Sequence, residues 1–154
     1  MSNSIISFSN GIQAKLTTVP PSAIVKDLIP SLNLDSYNSV IVSIGAADNL
    51  DQKLANKLAS LFNRGIARGA DETKSIIIDG GTQAGVMQLM GTAVAERSRK
   101  TQLIGVAPAG LVSYPGGPAT GTALESNHTH FVLVEGNEWG VETPFLFKLV
   151  IVKK

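Results

Sequence analysis

The sequence predicts an α/β fold, a Rossmann-like sandwich of three layers with a mostly parallel central sheet. Short β-branched runs alternate along the chain with segments whose apolar residues recur at helical spacing. Glycines gather beside these apolar runs, as is typical of connections between strands and helices, at 80–85, 105–110, 116–121 and 136–140. The length of 154 residues suits a single domain covering 1–154.

The first 38 residues give weaker signals than the rest of the chain. Residues 5–8 are compatible with a strand, and the Pro-Pro-Ser run at 20–22 begins a short helix that extends through Ile29. We expect residues 1–38 to form an N-terminal extension that packs on the main body of the domain.

The first strand of the main body covers residues 39–44 and ends at Gly45. Asp48 or Asn49 can then cap a helix that begins at Asp51. Four apolar residues at positions i, i+4, i+7 and i+8 predict one buried helix face, formed by Leu54, Leu58, Leu61 and Phe62.

The same order of strand and helix then repeats. The first helix ends near Gly69, and a second buried strand covers residues 75–78. Thr82 can cap the second helix, which runs to about residue 100. Val86, Met90, Ala93 and Val94 form the apolar face of that helix.

The remaining elements follow a long loop. A third strand covers 103–106, and a loop rich in glycine and proline extends to residue 126. A fourth strand at 131–134 and a helix at 140–149 complete the pattern, and residues 150–152 either continue this helix or add an edge strand.

Composition excludes several classes of function. Charged residues make up 16% of the chain and the net charge is +1, so we expect no nucleic-acid partner. Cysteine is absent, which excludes disulfides, thiolate catalysis and Fe–S clusters. No apolar run reaches the length of a membrane span, and the N-terminus lacks a basic region before its apolar residues. We therefore expect a cytoplasmic protein with no membrane contact.

The loop at 80–85 is the most informative candidate site. Gly80 and Gly81 permit a tight turn after the second strand, and Gly85 permits close approach at the start of the helix. The amides of residues 82–85 and the positive helix end suit a phosphate, although a plain turn with packing glycines explains the same pattern. The spacing matches neither a P-loop nor the G-x-G-x-x-G fingerprint.

Four ionisable residues are candidates for chemistry near the strand ends. Asp79 either accepts from a ribose hydroxyl or caps the turn that follows it. His128 and His130 share a face if 128–134 is a strand, but without cysteine we expect a hydrogen-bonding role rather than a metal site. Glu142 either starts the last helix or faces the glycine loops, where it holds a ribose or activates water. The other acidic residues in this region are expected in solvent, namely Glu125, Glu135 and Glu138.

Four segments resemble, in the same order, motifs of the SLOG superfamily, which includes the LOG phosphoribohydrolases and the DNA-processing protein Smf/DprA. The D-G-G-T-Q-A-G-V-M run at 79–87 resembles the GG-x-x-x-G-x-M signature. The segments at 104–110, 124–134 and 139–142 are similar to the cytosolic N-terminal region of TRPM channels. Together they identify the motif-bearing core, about 39–149, as a prokaryotic TRPM-like SLOG (LSDAT) domain.

This resemblance implies a Rossmann-like fold that binds a nucleotide or an NAD-derived ligand such as ADP-ribose, with no further cofactor. The candidate ligand-binding residues are Gly45, Ala46, Asp79, Gly80, Gly81, Thr82, Gln83, Gly85, Ala107, Pro108, His130, Gly140 and Glu142. LOG relatives are dimers, so the resemblance also implies a homo-oligomer. Phe145 and Phe147 look exposed in the sequence, which is compatible with an interface between copies.

Three functions remain open at this stage. The first is a nucleotide sensor without enzymatic activity. The second is a LOG-like hydrolase that cleaves a base–ribose bond with Glu142 as its catalytic residue. Pro118 interrupts the P-G-G-x-G-T-x-x-E motif of that family, which counts against this activity. The third is a scaffold that binds no ligand.

Overall fold

The computed structural model describes residues 1–45 and 50–152. In chain order its strands are β1 (Ser2–Ser7), β2 (Gln13–Val19), β3 (Ser39–Val42), β4 (Ser75–Asp79), β5 (Leu103–Pro108), β6 (Val112–Ser113), β7 (Thr122–Ala123) and β8 (His130–Val134). Six of them form the central sheet in the order β1-β2-β8-β5-β4-β3, in which only β1 is antiparallel to its neighbour. The predicted α/β fold with a mostly parallel sheet is confirmed.

The helices cover both faces of this sheet. They are α1 (Val25–Leu32), α2 (Gln52–Ser60), α3 (Arg68–Thr73), α4 (Gly85–Glu96) and α5 (Thr143–Ile151). Alternate residues of a strand point to opposite faces. Ile78, Val106 and Val132 pack with α1 and α5 on one side, which we call the α5 face. The opposite α4 face holds two clusters, one against α3 and α4 and one beneath the loop at 109–126.

The first 38 residues extend the sheet itself. β1 and β2 form an antiparallel pair, and β2 then lies parallel to β8 with Leu16 beside Phe131. β2 is not apparent from the sequence, because its Gln-Ala-Lys-Leu-Thr-Thr-Val sequence lacks the continuous apolar run of the other strands. The helix predicted from residue 20 forms as α1, starting five residues later at Val25.

The helix predicted from Asp51 is longer and less regular than expected. A π-helical segment, Leu61–Ala67, joins α2 to α3, and the helical backbone passes Gly69 and ends at Thr73. The stop at Gly69 is therefore wrong. The cap is also wrong, because Asp51 accepts a hydrogen bond of 3.1 Å from the Lys53 amide, whereas Asp48 and Asn49 lie outside the described residues.

The apolar face predicted for this helix does not form as one stripe. Phe62 is buried, but Leu54 is 45% exposed and Leu61 is 56% exposed. A π-helical turn contains more residues than an α-helical one, so it rotates the residues before it relative to those after it. The 3.6-residue spacing read from the sequence therefore does not hold across Leu61–Ala67.

The second helix is also capped differently from the prediction. Ala84 occupies the N-cap of α4 without a side-chain cap, so the cap assigned to Thr82 is wrong. Thr82 instead forms an isolated antiparallel bridge with Leu124, which ties the start of α4 to the long loop. The last helix is confirmed as α5, and residues 150 and 151 continue it.

In the described part of the chain, no helix combines the length and the apolar character that crossing a bilayer requires.

The end of α3 provides a test of the backbone assignment. Lys74 caps α3 in the left-handed conformation at φ 53°, which glycine adopts without steric cost. We expect Lys74→Gly to raise the free energy of unfolding by about 0.5 kcal/mol. Chemical denaturation should detect the gain, with Asn33→Gly as the matched control. Asn33 has the same conformation at φ 48°, but asparagine already tolerates it. Destabilisation by Lys74→Gly would contradict the assignment.

Candidate functional site

A cavity of about 550 Å³ opens at the carboxyl end of the sheet. Its walls come from the residues that follow β3 and β4, from β5 and β7, and from the segment that leads into α5. Its lining residues are Ser43, Ile44, Gly45, Gly80, Thr82, Ala84, Met87, Val106, Thr122, Trp139, Glu142, Thr143, Leu146 and Phe147. This is the edge at which open parallel sheets bind their ligands.

Most of this wall is apolar, and its aromatic side chains are partly open to solvent. Trp139 is 57% exposed and Phe147 is 50% exposed, and both line the cavity. Glu142 is the one ionisable residue among the lining residues that the structure describes. The volume falls within the range of small-molecule sites, which is about 300–1,000 Å³.

Glu142 is held by the turn that precedes α5. It occupies the N-cap position, and its Oε2 accepts a hydrogen bond of 2.8 Å from the Gly140 amide. Pro144 follows in the first turn, where its missing N–H costs no hydrogen bond. The carboxylate is thus oriented at the rim of the cavity.

The glycine loop after β4 uses several of its amides within the protein. The Gln83 amide donates to Ala123 at 2.7 Å, and the Ala84 amide donates to the Thr82 carbonyl at 2.8 Å. These two amides, which the sequence analysis assigned to a phosphate, are therefore engaged elsewhere. The first-turn amides of α4, beginning at Gly85, have no partner within the helix.

Gly81 allows the loop to lie directly on the neighbouring strand. Its φ is +71°, and a Cβ at this position would lie 2.7 Å from the Cα of Gly105 and 3.2 Å from the ring of Phe131. No residue larger than glycine fits between these two backbones without displacing one of them. The close approach fixes how far the loop stands from β5.

Beneath this loop, three buried ionisable side chains form a hydrogen-bonded cluster on the α4 face. His128 Nε2 lies 2.7 Å from Asp79 Oδ1, and His128 Nδ1 lies 2.8 Å from Glu125 Oε2. The Gly81 amide donates to the same Asp79 oxygen at 2.8 Å. The ring of His128 also stacks on Phe131 with centroids 5.3 Å apart. Of the two roles considered for Asp79, the structure shows the capping one.

Glu125 is buried in this cluster, so the expectation that it lies in solvent is wrong. Its carboxylate also accepts from the Asn127 amide at 2.9 Å and from the Asn127 side chain at 2.8 Å. Gly91 of α4 provides the space, because a Cβ there would collide with the Glu125 carboxylate. The burial of Glu125 depends on Gly91, which lies 34 positions earlier in the chain. The sequence around Glu125 therefore does not reveal it.

The cluster carries a positive charge on His128 at neutral pH. Burial alone disfavours the charged ring, but the carboxylates of Asp79 and Glu125 outweigh it and raise the pKa of His128 to about 9. An imidazolium donates from both ring nitrogens, which matches its two carboxylate partners.

His130 lies apart from this cluster and from the cavity. It begins β8 at the amino end of the sheet and, as the neighbour of Lys15, points to the α5 face, so the two histidines do not share a face. Its Nδ1 lies 2.8 Å from the Thr129 hydroxyl. Burial, assisted by the charge of Lys15, lowers the pKa of His130 to about 4. Across residues 1–45 and 50–152, no three His, Asp or Glu residues form a group suited to a metal ion.

The structure brings part of the predicted site together. The cavity is lined by four of the candidate residues, Gly45, Gly80, Thr82 and Glu142. Gln83 and Gly85 line a smaller adjacent groove of about 330 Å³.

The remaining candidates lie elsewhere. Asp79 is buried beneath the loop, Gly81 is buried within it, and Gly140 supports Glu142 through its amide. Three others are not among the lining residues of the cavity: Ala107 packs on the α4 face, Pro108 is buried at the end of β5, and His130 lies at the opposite end of the sheet. Ala46 lies outside the described residues.

Several lining residues were missed by the sequence analysis. Val106 was available from strand alternation, because it faces opposite to Ala107. Thr143, Leu146 and Phe147 share one face of α5 at spacings of three and four, which the sequence also contains. Phe147 is exposed as expected. Phe145 is buried, so the expectation that it also lies on an exposed apolar surface is wrong.

Comparisons with known proteins identify a family. A family model described as "SLOG in TRPM, prokaryote" matches residues 38–152. Transient receptor potential cation channel subfamily M member 2 of Mus musculus is 32% identical over 168 aligned positions, covering 90% of this chain and 11% of that protein. The Rattus norvegicus protein is 33% identical over 140 positions, covering 72% and 9%. Transient receptor potential cation channel subfamily M member-like 2 of Nematostella vectensis is 34% identical over 138 positions, covering 71% of this chain and 9% of that protein. The chain spans about a tenth of the length of the curated relatives it matches.

The two histidines should titrate far apart and give a stability maximum between their pKa values. His128 stabilises the fold fully below pH 6.5, and this contribution is lost as pH rises towards 9. His130 stabilises it fully above pH 6.5, and this contribution is lost as pH falls towards 4. We expect the free energy of unfolding to peak near pH 6.5 and to fall by about 3 kcal/mol on the alkaline side.

Ring resonances in ¹H–¹³C spectra assign these transitions, since the sequence contains two histidines. Titration of both rings near pH 6.5 would contradict the buried ion cluster.

Proposed function

The chain belongs to the prokaryotic family of SLOG domains related to those of TRPM channels, and from that premise we propose that it binds a nucleotide or an NAD-derived small molecule in the cavity at the carboxyl end of the sheet. The family is the one suggested by the four sequence motifs. The observation that carries the proposal is the position of the cavity, which lies at the ends of β3, β4 and β5 and is bordered by the N-terminal turns of α4 and α5.

The chemistry of the walls supports a ligand with a flat ring, a sugar and a phosphate. Trp139 and Phe147 offer aromatic surface to a base. Glu142 would accept from ribose hydroxyls through Oε1, which has no hydrogen-bond partner in the described part of the chain. A phosphate would lie at the first-turn amides of α4, because that turn contains no acidic residue of its own. ADP-ribose is one member of this ligand class.

Binding without turnover is the simpler role for this site. The three ionisable side chains of the His128 cluster are buried and are not among the described lining residues of the cavity. In such a protein the occupied state would itself be the signal, as in a sensor. A hydrolase remains the second candidate because Glu142 faces the cavity, where it would activate water or stabilise an oxocarbenium-like state.

Thermal unfolding against ADP-ribose, cyclic ADP-ribose, NAD and AMP tests the binding function. At about 100 times the dissociation constant a ligand stabilises the fold by about 2.7 kcal/mol, which raises Tm by several degrees. We expect at least one of these nucleotides to do so. Gly80→Ala should weaken the shift while leaving the apo Tm nearly unchanged, because the Cβ that it adds makes only ordinary contact with Met87 at 3.7 Å.

Gly81→Ala serves as the contrasting variant, since it should lower the apo Tm through its collision with Gly105. Absence of a shift with every nucleotide of the panel would favour the scaffold hypothesis.

Glu142→Gln separates the binder from the hydrolase. Glutamine keeps an acceptor for the Gly140 amide but cannot take a proton from water. For a binder we expect affinity for AMP or ADP-ribose to stay within about threefold, and we expect no free base from the wild type. Chromatography of the incubated nucleotide measures the release. Base release by the wild type that Glu142→Gln reduces by about 100-fold or more would establish the hydrolase instead.

A further inference from the structure

The charge of the cavity wall disfavours the binding of a highly anionic ligand. Among the described lining residues there is no lysine or arginine, and the single ionisable group is the Glu142 carboxylate. The segment 46–49, which follows the lining residue Gly45 in sequence, contains one acid, Asp48, and no basic residue. A diphosphate would therefore meet no cationic side chain from these residues, and a carboxylate would stand at the same wall.

The two helix ends at the cavity differ in charge. Glu142 occupies the N-cap position of α5, where its carboxylate compensates the partial positive charge of that helix end. α4 has no acidic residue in its first turn, so its partial positive charge remains. The cavity thus presents a weakly positive end at α4 and a negative, aromatic end at α5.

The negative end has the composition of a site for a flat cation. Trp139 and Glu142 are three residues apart in the turn before α5, and both line the cavity together with Phe147. An aromatic face attracts a cation through its quadrupole, tryptophan most strongly, and an adjacent carboxylate adds direct charge attraction. A neutral ring gains the stacking but not the two electrostatic contributions.

We propose that this cavity selects nucleotides whose base is a cationic N-ribosyl heteroaromatic ring, such as a pyridinium, with Glu142 and Trp139 as the residues that determine this specificity. The proposal rests on the proposed function, since it assigns the ligand class of the same site. The cationic ring lies at Trp139 and Glu142, and a single phosphate lies at the amides of α4. ADP-ribose, with a neutral base and two phosphates, is a weaker ligand of this site.

Oxidised and reduced nicotinamide mononucleotide form a nearly isosteric test pair. They share the ribose and the single phosphate, but the ring is cationic only in the oxidised form. Isothermal titration calorimetry at pH 7.5 on the full chain should give an affinity about tenfold higher for the oxidised form. AMP, which has a neutral base and one phosphate, is measured in parallel.

Three variants assign the preference to its residues. Glu142→Gln should reduce the preference to within about twofold, chiefly by weakening the binding of the oxidised form. Glu138→Gln is the matched control, because Glu138 lies in the same segment but is exposed and does not line the cavity; it should keep the full preference. Trp139→Phe should keep part of the preference and Trp139→Leu should lose more of it.

The outcomes separate this proposal from the one on which it rests. Equal affinities, or tighter binding of the reduced form, overturn the charge selectivity while the binding itself upholds a nucleotide site. A preference that Glu142→Gln leaves undiminished overturns the assignment to Glu142. If neither form of the mononucleotide, AMP nor ADP-ribose binds, the proposed function fails and the selectivity fails with it.

Discussion

The imidazolium of His128, held between the carboxylates of Asp79 and Glu125, joins the end of β4 to the segment that leads from the long loop into β8. Asp79 ends β4, Glu125 belongs to the long loop, and His128 leads into β8. Removing charged groups from water is costly, and the cost is recovered here only because each ring nitrogen meets a carboxylate at 2.7 or 2.8 Å. Any displacement of β4 relative to β8 would leave a buried charge without its partner.

This cluster also fixes the wall of the cavity. The Asp79 oxygen that contacts His128 also accepts from the Gly81 amide, and Gly81 lies against Gly105 with no room for a side chain. Gly80 and Thr82, on either side of Gly81, line the cavity. The loop that borders the cavity is therefore held from below by charge and from beside by backbone contact. A site held in this way loses little conformational entropy when a ligand binds.

The buried ion pairs and the open cavity lie in different parts of the structure. The strongest ionic interactions lie on the α4 face beneath the loop, whereas the cavity wall is apolar with one carboxylate at its rim. Recognition by such a wall depends on aromatic contact, backbone amides and a single negative side chain. This distribution is the basis of the proposed selection among ligands by ring chemistry and charge.

The sequence alone determined the α/β class, the parallel strands β3, β4, β5 and β8, and the family, because these depend on local apolar periodicity and on short motifs. β3 ends at Val42, two residues before its predicted end. Only the tertiary structure decided the burial of Glu125, which needs the space left by Gly91 on a distant helix. It also decided that the Gln83 amide meets Ala123, that Asp79 pairs with His128, and that β2 lies beside β8. Each of these depends on contacts between residues far apart in the chain, and periodicity along a single segment carries no information about such contacts.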